Sequence, residues 1–381
     1  MAERWDSGKT QDPTRDLARA GLEVERMLGR GVSSVVYAAR QRPLDRSVAV
    51  KLLKLSPDGE LPLDARRRFQ TEARTLASFQ HPHIVTLYDY GELPDGRCYL
   101  VMEHVSGRGL DDLLRDGPLP MRRAVDLMVQ ICKALRYAHD RGVIHRDIKP
   151  SNLFVRQEAD GSDHLKVLDF GLVKLLDADQ EATRAGELLG SPHCMSPEQI
   201  SGSEIRPATD VYAVGAVLYR CLTGRFPFQG TTAISTMLGH LHHEVPPFAV
   251  AAPDLRTPAM LEAIVRRCLA KEPAHRYATI DELGRALAPY SSAGASTQAE
   301  EDPTEPDLAE LGVTGSTRAA RTASRSTWLL VAVIVIATAL GLALSVLGKR
   351  VWDATTRADA PAAPGSPAQP PPAVTPPPPA G

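Results

Sequence analysis

Cysteine is sparse in this 381-residue chain and nowhere paired: Cys98, Cys132, Cys194, Cys221 and Cys268 are widely scattered, and no CxxC motif occurs. That spacing excludes a zinc ribbon or a disulfide framework and predicts reduced thiols. An excess of charge is missing too. Lysine and arginine total 44 against 46 acidic residues, a net charge of -2, so nothing draws the chain to nucleic acid by bulk electrostatics. No apolar segment follows Met1, which predicts no cleavable secretory signal. Long apolar runs are also scarce, and the exception, Trp328 to Leu347, lies near the end of the chain. What is present is a 43% hydrophobic fraction, enough to bury the core of one large or two ordinary domains.

Near residue 22 the pattern changes to short β-like runs, Leu22 to Leu28, Val35 to Arg40 and Ser47 to Leu53. The turn between the first two, Gly29 Arg30 Gly31 Val32 Ser33 Ser34 Val35 Val36, follows GxGxxGxV with Ser34 in place of the third glycine. Glycines there let backbone amides approach phosphates with no Cβ in the way. The strand-turn-strand setting separates this loop from a dinucleotide-binding turn, which leads into a helix. Serine is still small, so Ser34 is expected to alter loop mobility more than competence. Lys51 ends the apolar run Val48 Ala49 Val50 Lys51 and carries one cation inward. A buried ammonium needs a counter-charge. Glu72, in the helix-patterned stretch Leu63 to Phe79, is the first choice. Glu60, set among Pro57, Gly59 and Pro62, is the second.

Two further strands are predicted over Ile84 to Tyr90 and Cys98 to Val105, then an amphipathic helix over Met121 to Arg141. That helix delivers the chain to His145 Arg146 Asp147 Ile148 Lys149 Pro150 Ser151 Asn152, and Asp169 Phe170 Gly171 begins 17 residues after Asn152. Phosphoryl transfer needs little covalent help, only an aligned hydroxyl and cations to neutralise the phosphate oxygens. Asp147 can take the hydroxyl proton, while Asn152 and Asp169 offer hard oxygen donors to one metal cluster.

In this order the motifs resemble the protein kinase family, in its bacterial, eukaryotic-like (Hanks-type) serine/threonine form, over residues 22 to 289. The resemblance implies an α+β, two-lobed fold with a small β-rich N-lobe and a larger helical C-lobe. It implies ATP held by Gly29, Arg30, Gly31, Val32, Val36, Ala49 and Lys51 with Glu72, adenine on backbone groups of Glu103 and Val105, and Met102 limiting the pocket behind. Asp147 becomes the base, Lys149 lies along the transferred phosphate, and Asn152 and Asp169 hold Mg2+, with Mn2+ the alternative. The excursion from Asp169 to Ser196 Pro197 Glu198 resembles an activation loop, with Thr183 the first phosphate acceptor and Ser191 the second, and with Arg146 and Lys174 to receive that phosphate. Cys194 stands where relatives commonly have tyrosine. Asp210 is expected to support the catalytic loop from below, and Arg276 to pair with Glu198 as a buried bridge. Partners would be proteins bearing serine or threonine. A catalytically silent pseudokinase scaffold is the competing interpretation, although no catalytic motif residue is missing.

The predicted organisation is a mobile leader (1–21), the kinase domain (22–289), a disordered linker (290–326), a transmembrane helix (327–347) and a Pro-rich tail (348–381). Trp328 to Leu347, 20 uncharged residues, would rise about 30 Å as a helix, enough to cross a bilayer. Because the kinase needs ATP, its domain is expected in the cytoplasm and the tail outside the cell membrane. Ala337, Gly341 and Ser345 recur at a spacing of four and offer a small-residue contact for a homodimer.

Overall fold

The computed structural model describes residues 13–31, 34–53, 63–170 and 192–293. Five antiparallel strands, β1 (Leu22–Arg30), β2 (Ser34–Gln41), β3 (Arg46–Leu53), β4 (Leu87–Glu92) and β5 (Cys98–Glu103), form a sheet ordered β1-β2-β3-β5-β4. Side chains alternate across it with the two-residue period of a strand. On β3, Val48, Val50 and Leu52 join Val35, Tyr37 and Ala39 of β2 in one buried cluster. Ala49 and Leu53 face the other way and pack with Leu100, Met102 and the helix α2 (Leu63–Ala77) through Phe69 and Ala73. Lys51 shares the face of Ala49 and Leu53, which aims its ammonium toward α2 and the interlobe cleft rather than the outer surface.

The outer face of the sheet is covered by α1 (Pro13–Arg19), whose Leu17 is fully buried among the β1 to β3 side chains. The expected mobile leader is therefore corrected from residue 13 onward, and residues 1–12 lie outside the described residues. Leu17 joins Leu22 in that cluster, the Arg42 N–H donates to Gly21 O at 2.8 Å, and Gly21 takes a φ of +79° to turn into β1, while Asp16 pairs with Arg19 at 3.1 Å within the helix itself.

Below the sheet lies a helical lobe. Helix α3 (Met121–His139) buries Ala124, Leu127, Met128, Ile131, Leu135 and Ala138 along one stripe. The helix Pro207–Thr223 is buried on nearly all sides and forms the centre of the lobe. A Cβ at its Gly215 would sit 2.5 Å from the Cys268 Cβ, so glycine is what permits this close approach to the helix Ala259–Cys268. All five cysteines are buried and free.

A second sheet, β6 (Arg108–Gly109), β7 (Leu153–Gln157) and β8 (Asp163–Val167), lines the cleft from the helical side. Ile84, expected in a strand with Tyr90, instead makes a parallel bridge to Val167, and β4 begins only at Leu87. The cause is competition for the backbone. His83 O accepts from the Val167 N–H at 2.9 Å, and the Val85 N–H donates to Val167 O at 3.0 Å. Among the described residues no helix is long and apolar enough to cross a membrane. The expected span at 327–347, the linker beyond Ala293 and the tail lie outside the described residues.

Candidate active site

The catalytic segment is built around two carboxylates. Asp210, fully buried on the central helix, accepts the N–H groups of His145 and Arg146 at 2.9 Å each and the His139 Nε2–H at 2.8 Å. Burial would raise its carboxyl, but the His139 hydrogen bond and the nearby imidazoles outweigh burial and hold it low. That anchor lets Arg146 keep a φ of +65°, a left-handed conformation costly for a residue with a Cβ. His145 donates Nε2–H to Leu168 O at 2.9 Å and accepts the Asp147 N–H on Nδ1 at 3.2 Å. Accepting on Nδ1 requires the neutral ring, and burial lowers its pKa accordingly. Its ring lies 4.6 Å from Phe170, which meets Phe79 edge-on at 5.8 Å.

Asp147 is the second carboxylate. Its Oδ2 accepts Lys149 Nζ at 2.7 Å and Asn152 Nδ2 at 2.9 Å, and Asn152 Nδ2 also donates to Asp147 O at 2.8 Å. The loop is thereby closed on itself, and the amide nitrogen's commitment to Asp147 leaves the Asn152 oxygen for a hard cation. Asp169, at a φ of +56°, stands beyond β8. Its Oδ1 meets Lys51 Nζ at 2.7 Å.

This last pair departs from expectation. No ion pair joins Lys51 to Glu72. Glu72 is half-buried on α2, where burial raises its carboxyl and the charge of Arg146 partly offsets that rise. Lys51 is only 7% exposed and so requires a counter-charge close by. Two carboxylates compete for it, and the turn after β8 brings Asp169 within contact.

Of the other expected ATP-site residues, Val36, Ala49 and Met102 lie on neighbouring strands of the first sheet. Val36 lies opposite Lys51, and Ala49 opposite Met102, in the strand register. Met102 lines a small apolar pocket with Leu76, Leu87, Leu100 and Phe170. A Cβ on Gly29 would meet nothing within 4 Å, and one on Gly31 only Ser34 atoms at ordinary contact distance. Glu103 ends β5, and its N–H donates to Thr86 O at 2.9 Å. Val105 follows, half-buried. Arg30 ends β1. Val32, Gly171, Lys174, Thr183 and Ser191 lie outside the described residues.

Asp169 and Asn152 would hold Mg2+ through the oxygen donors it takes, one carboxylate and one amide. The donor chemistry fits, and among the described residues no group of three or more His, Cys, Asp or Glu side chains converges to make a different metal site. Three contributors escaped sequence reasoning. His139 supports Asp210 from the end of α3. Gln199 donates Nε2–H to Arg146 O at 2.7 Å and forms a capping box with Ser196. Lys166 contacts Glu103 at the end of β5. Only the Ser196 to Gln199 spacing was a local signal; the others act across distances no local pattern encodes.

The protein kinase domain profile matches residues 22–286. The chain belongs to the protein kinase family. This kinase is 39% identical over 264 residues to serine/threonine-protein kinase pkn3 of Myxococcus xanthus, an overlap of 68% of this chain and 48% of that protein. It is likewise 39% identical over 264 residues to serine/threonine-protein kinase PrkC of Bacillus subtilis (strain 168), covering 68% of this chain and 39% of that one. The chain thus matches less than half the length of these relatives. The solved kinase domain of Mycobacterium tuberculosis PknI is 27% identical with a TM-score of 0.54, covering 71% of this chain and 97% of that one. Rad53 residues 1–466 in complex with AMP-PNP reach a TM-score of 0.58 at 24% identity, over 72% of this chain and 66% of that one, a likeness of fold alone.

Proposed function

We propose that this kinase transfers the γ-phosphoryl group of Mg-ATP to serine and threonine hydroxyls of proteins. The observation that carries the proposal is the Asp147 carboxylate held between Lys149 and Asn152, together with the pairing of Lys51 with Asp169 at 2.7 Å. Asp147 takes the proton of the incoming hydroxyl and points its oxygen in line. Lys149 neutralises the transferred phosphoryl group and Lys51 the α and β phosphates, while Asn152 and Asp169 would hold the metal. Glu72 would be the counter-charge for Lys51 with Asp169 engaged by the cation. The test is incubation of the purified full chain with labelled ATP and Mg2+. Phosphate is expected on serine and threonine only, with Thr183 the main site and Ser191 minor. Phosphotyrosine, or no incorporation into the chain or an added basic protein, overturns the proposal.

The same proposal places the kinase domain on the cytoplasmic side of the cell membrane, held by Trp328 to Leu347. An uncharged run of that length has bilayer-spanning dimensions, and the Pro-rich tail would then lie outside. Deleting residues 327–381 is expected to move the enzyme from the membrane pellet to the soluble fraction with its activity kept. Continued sedimentation with membranes counts against the span as sole anchor.

A further inference from the structure

Lys166 has no part in the scheme above, yet it reaches the edge of the nucleotide site. It lies on β8 three residues before Asp169 and opposite Phe154 of β7. Its Nζ meets Glu103 Oε2 at 2.7 Å, with side-chain exposures of 17% for Lys166 and 26% for Glu103. The same carboxylate oxygen accepts the Thr86 N–H at 3.3 Å, while the Glu103 N–H returns to Thr86 O at 2.9 Å. One carboxylate therefore ties the last residue of β5, in the N-lobe sheet, to the segment entering β4 and to a strand of the C-lobe sheet. That strand, β8, ends at Val167, two residues before Asp169. A charge-assisted bond shielded from solvent is stronger than an exposed pair and is little screened by salt.

We infer that Lys166 is a positioning residue for nucleotide binding: by holding the Glu103 carboxylate it fixes the Glu103 peptide in the orientation that meets the adenine edge. The inference rests on the proposed use of ATP. It assigns Lys166 no contact with the reacting atoms. The strand itself does not need this ammonium. Its neighbours Leu165 and Val167 are fully buried, and the β7–β8 ladder is made by backbone groups. Methionine at 166 keeps an apolar stem of similar length and removes only the charge.

The test is steady-state kinetics of the full chain with ATP varied at saturating protein substrate. Lys166→Met is expected to raise the KM for ATP roughly tenfold, the loss of one shielded charged hydrogen bond. Turnover at saturating ATP and the KM for the protein substrate should change by less than about twofold, because chemistry and substrate docking lie elsewhere. Lys166→Arg should restore the ATP KM. Glu103→Gln should raise it as well, and the double substitution should be no worse than Lys166→Met alone, since both remove one interaction. An ATP KM unchanged by Lys166→Met, or one that Lys166→Arg fails to rescue, overturns the inference. If Lys166→Met does not fold, Glu103→Gln decides in the same way. A wild-type chain that binds no ATP overturns the kinase proposal itself, whereas normal ATP use by wild type and by both single variants overturns this inference alone.

Discussion

Asp147→Asn is expected to lower the rate of phosphate transfer by about 10²–10⁴-fold, the range for loss of a positioned general base, with ATP affinity and thermal midpoint close to wild type. The amide keeps an oxygen that can accept the Asn152 Nδ2–H at the position now 2.9 Å away, so the loop stays closed. What disappears is the negative charge that holds Lys149 Nζ at 2.7 Å and can accept the hydroxyl proton. Radiometric transfer to a basic protein, beside calorimetric titration with ATP, separates the two effects. A variant that transfers phosphate at the wild-type rate would remove Asp147 from catalysis. One that no longer binds ATP or melts early would show that the residue is structural.

Arg276→Met should cost stability instead, by about 3–5 kcal/mol, the penalty for breaking a buried pair from one side. Arg276 is bound through every nitrogen. Nη1 and Nη2 meet the two Glu198 oxygens at 2.7 and 2.8 Å, and Nε, Nη1 and Nη2 also donate to the carbonyls of Ala270, Ala208 and Lys271. Methionine would leave the carboxylate and three carbonyls without these donors. In a domain of this size the midpoint should fall by about 10 °C. The effect carries a pH signature. Burial would raise the Glu198 carboxyl, but the Arg276 hydrogen bonds and charge outweigh it, so its pKa is lowered. A depressed carboxyl adds stability above its unfolded pKa and loses that contribution as pH falls through the folded value. The gap between wild type and Arg276→Met should therefore be widest near neutrality and shrink in acid. Thermal melts from pH 7.5 down to below the ordinary glutamate range check this, and a gap independent of pH would mean that lost packing, not the ion pair, explains the change.

Local patterns made much of the chain legible. The helix Met121–His139 lies within the stretch whose periodicity predicts it, and β3 presents Lys51 on the face that its alternation requires. Motif spacing named Asp147, Asn152 and Asp169, because a catalytic loop needs those residue types within a few positions of one another. Helix α1 was not legible. Seven residues with a single fully buried leucine give no period to detect, and Leu17 has a place only because the sheet's outer face lies beneath it. Glu103 was expected to act through its backbone, and nothing local to it announced that its side chain would meet Lys166.

The sequence alone determined the chemistry: which side chains could accept a proton, neutralise phosphate or hold a hard cation, and in what order the chain delivers them. It also determined the two faces of each strand, since the two-residue period is a property of the backbone itself. Tertiary structure decided which charges meet. Lys51 had carboxylates available at Glu72 and Asp169, and the choice fell to Asp169 at 2.7 Å because β3 and the turn after β8 converge there. Asp210 holds the backbone of His145 and Arg146, 65 and 64 residues away, for the same reason. Coulomb and hydrogen-bond energies depend on separation in space, and separation along the chain does not encode it.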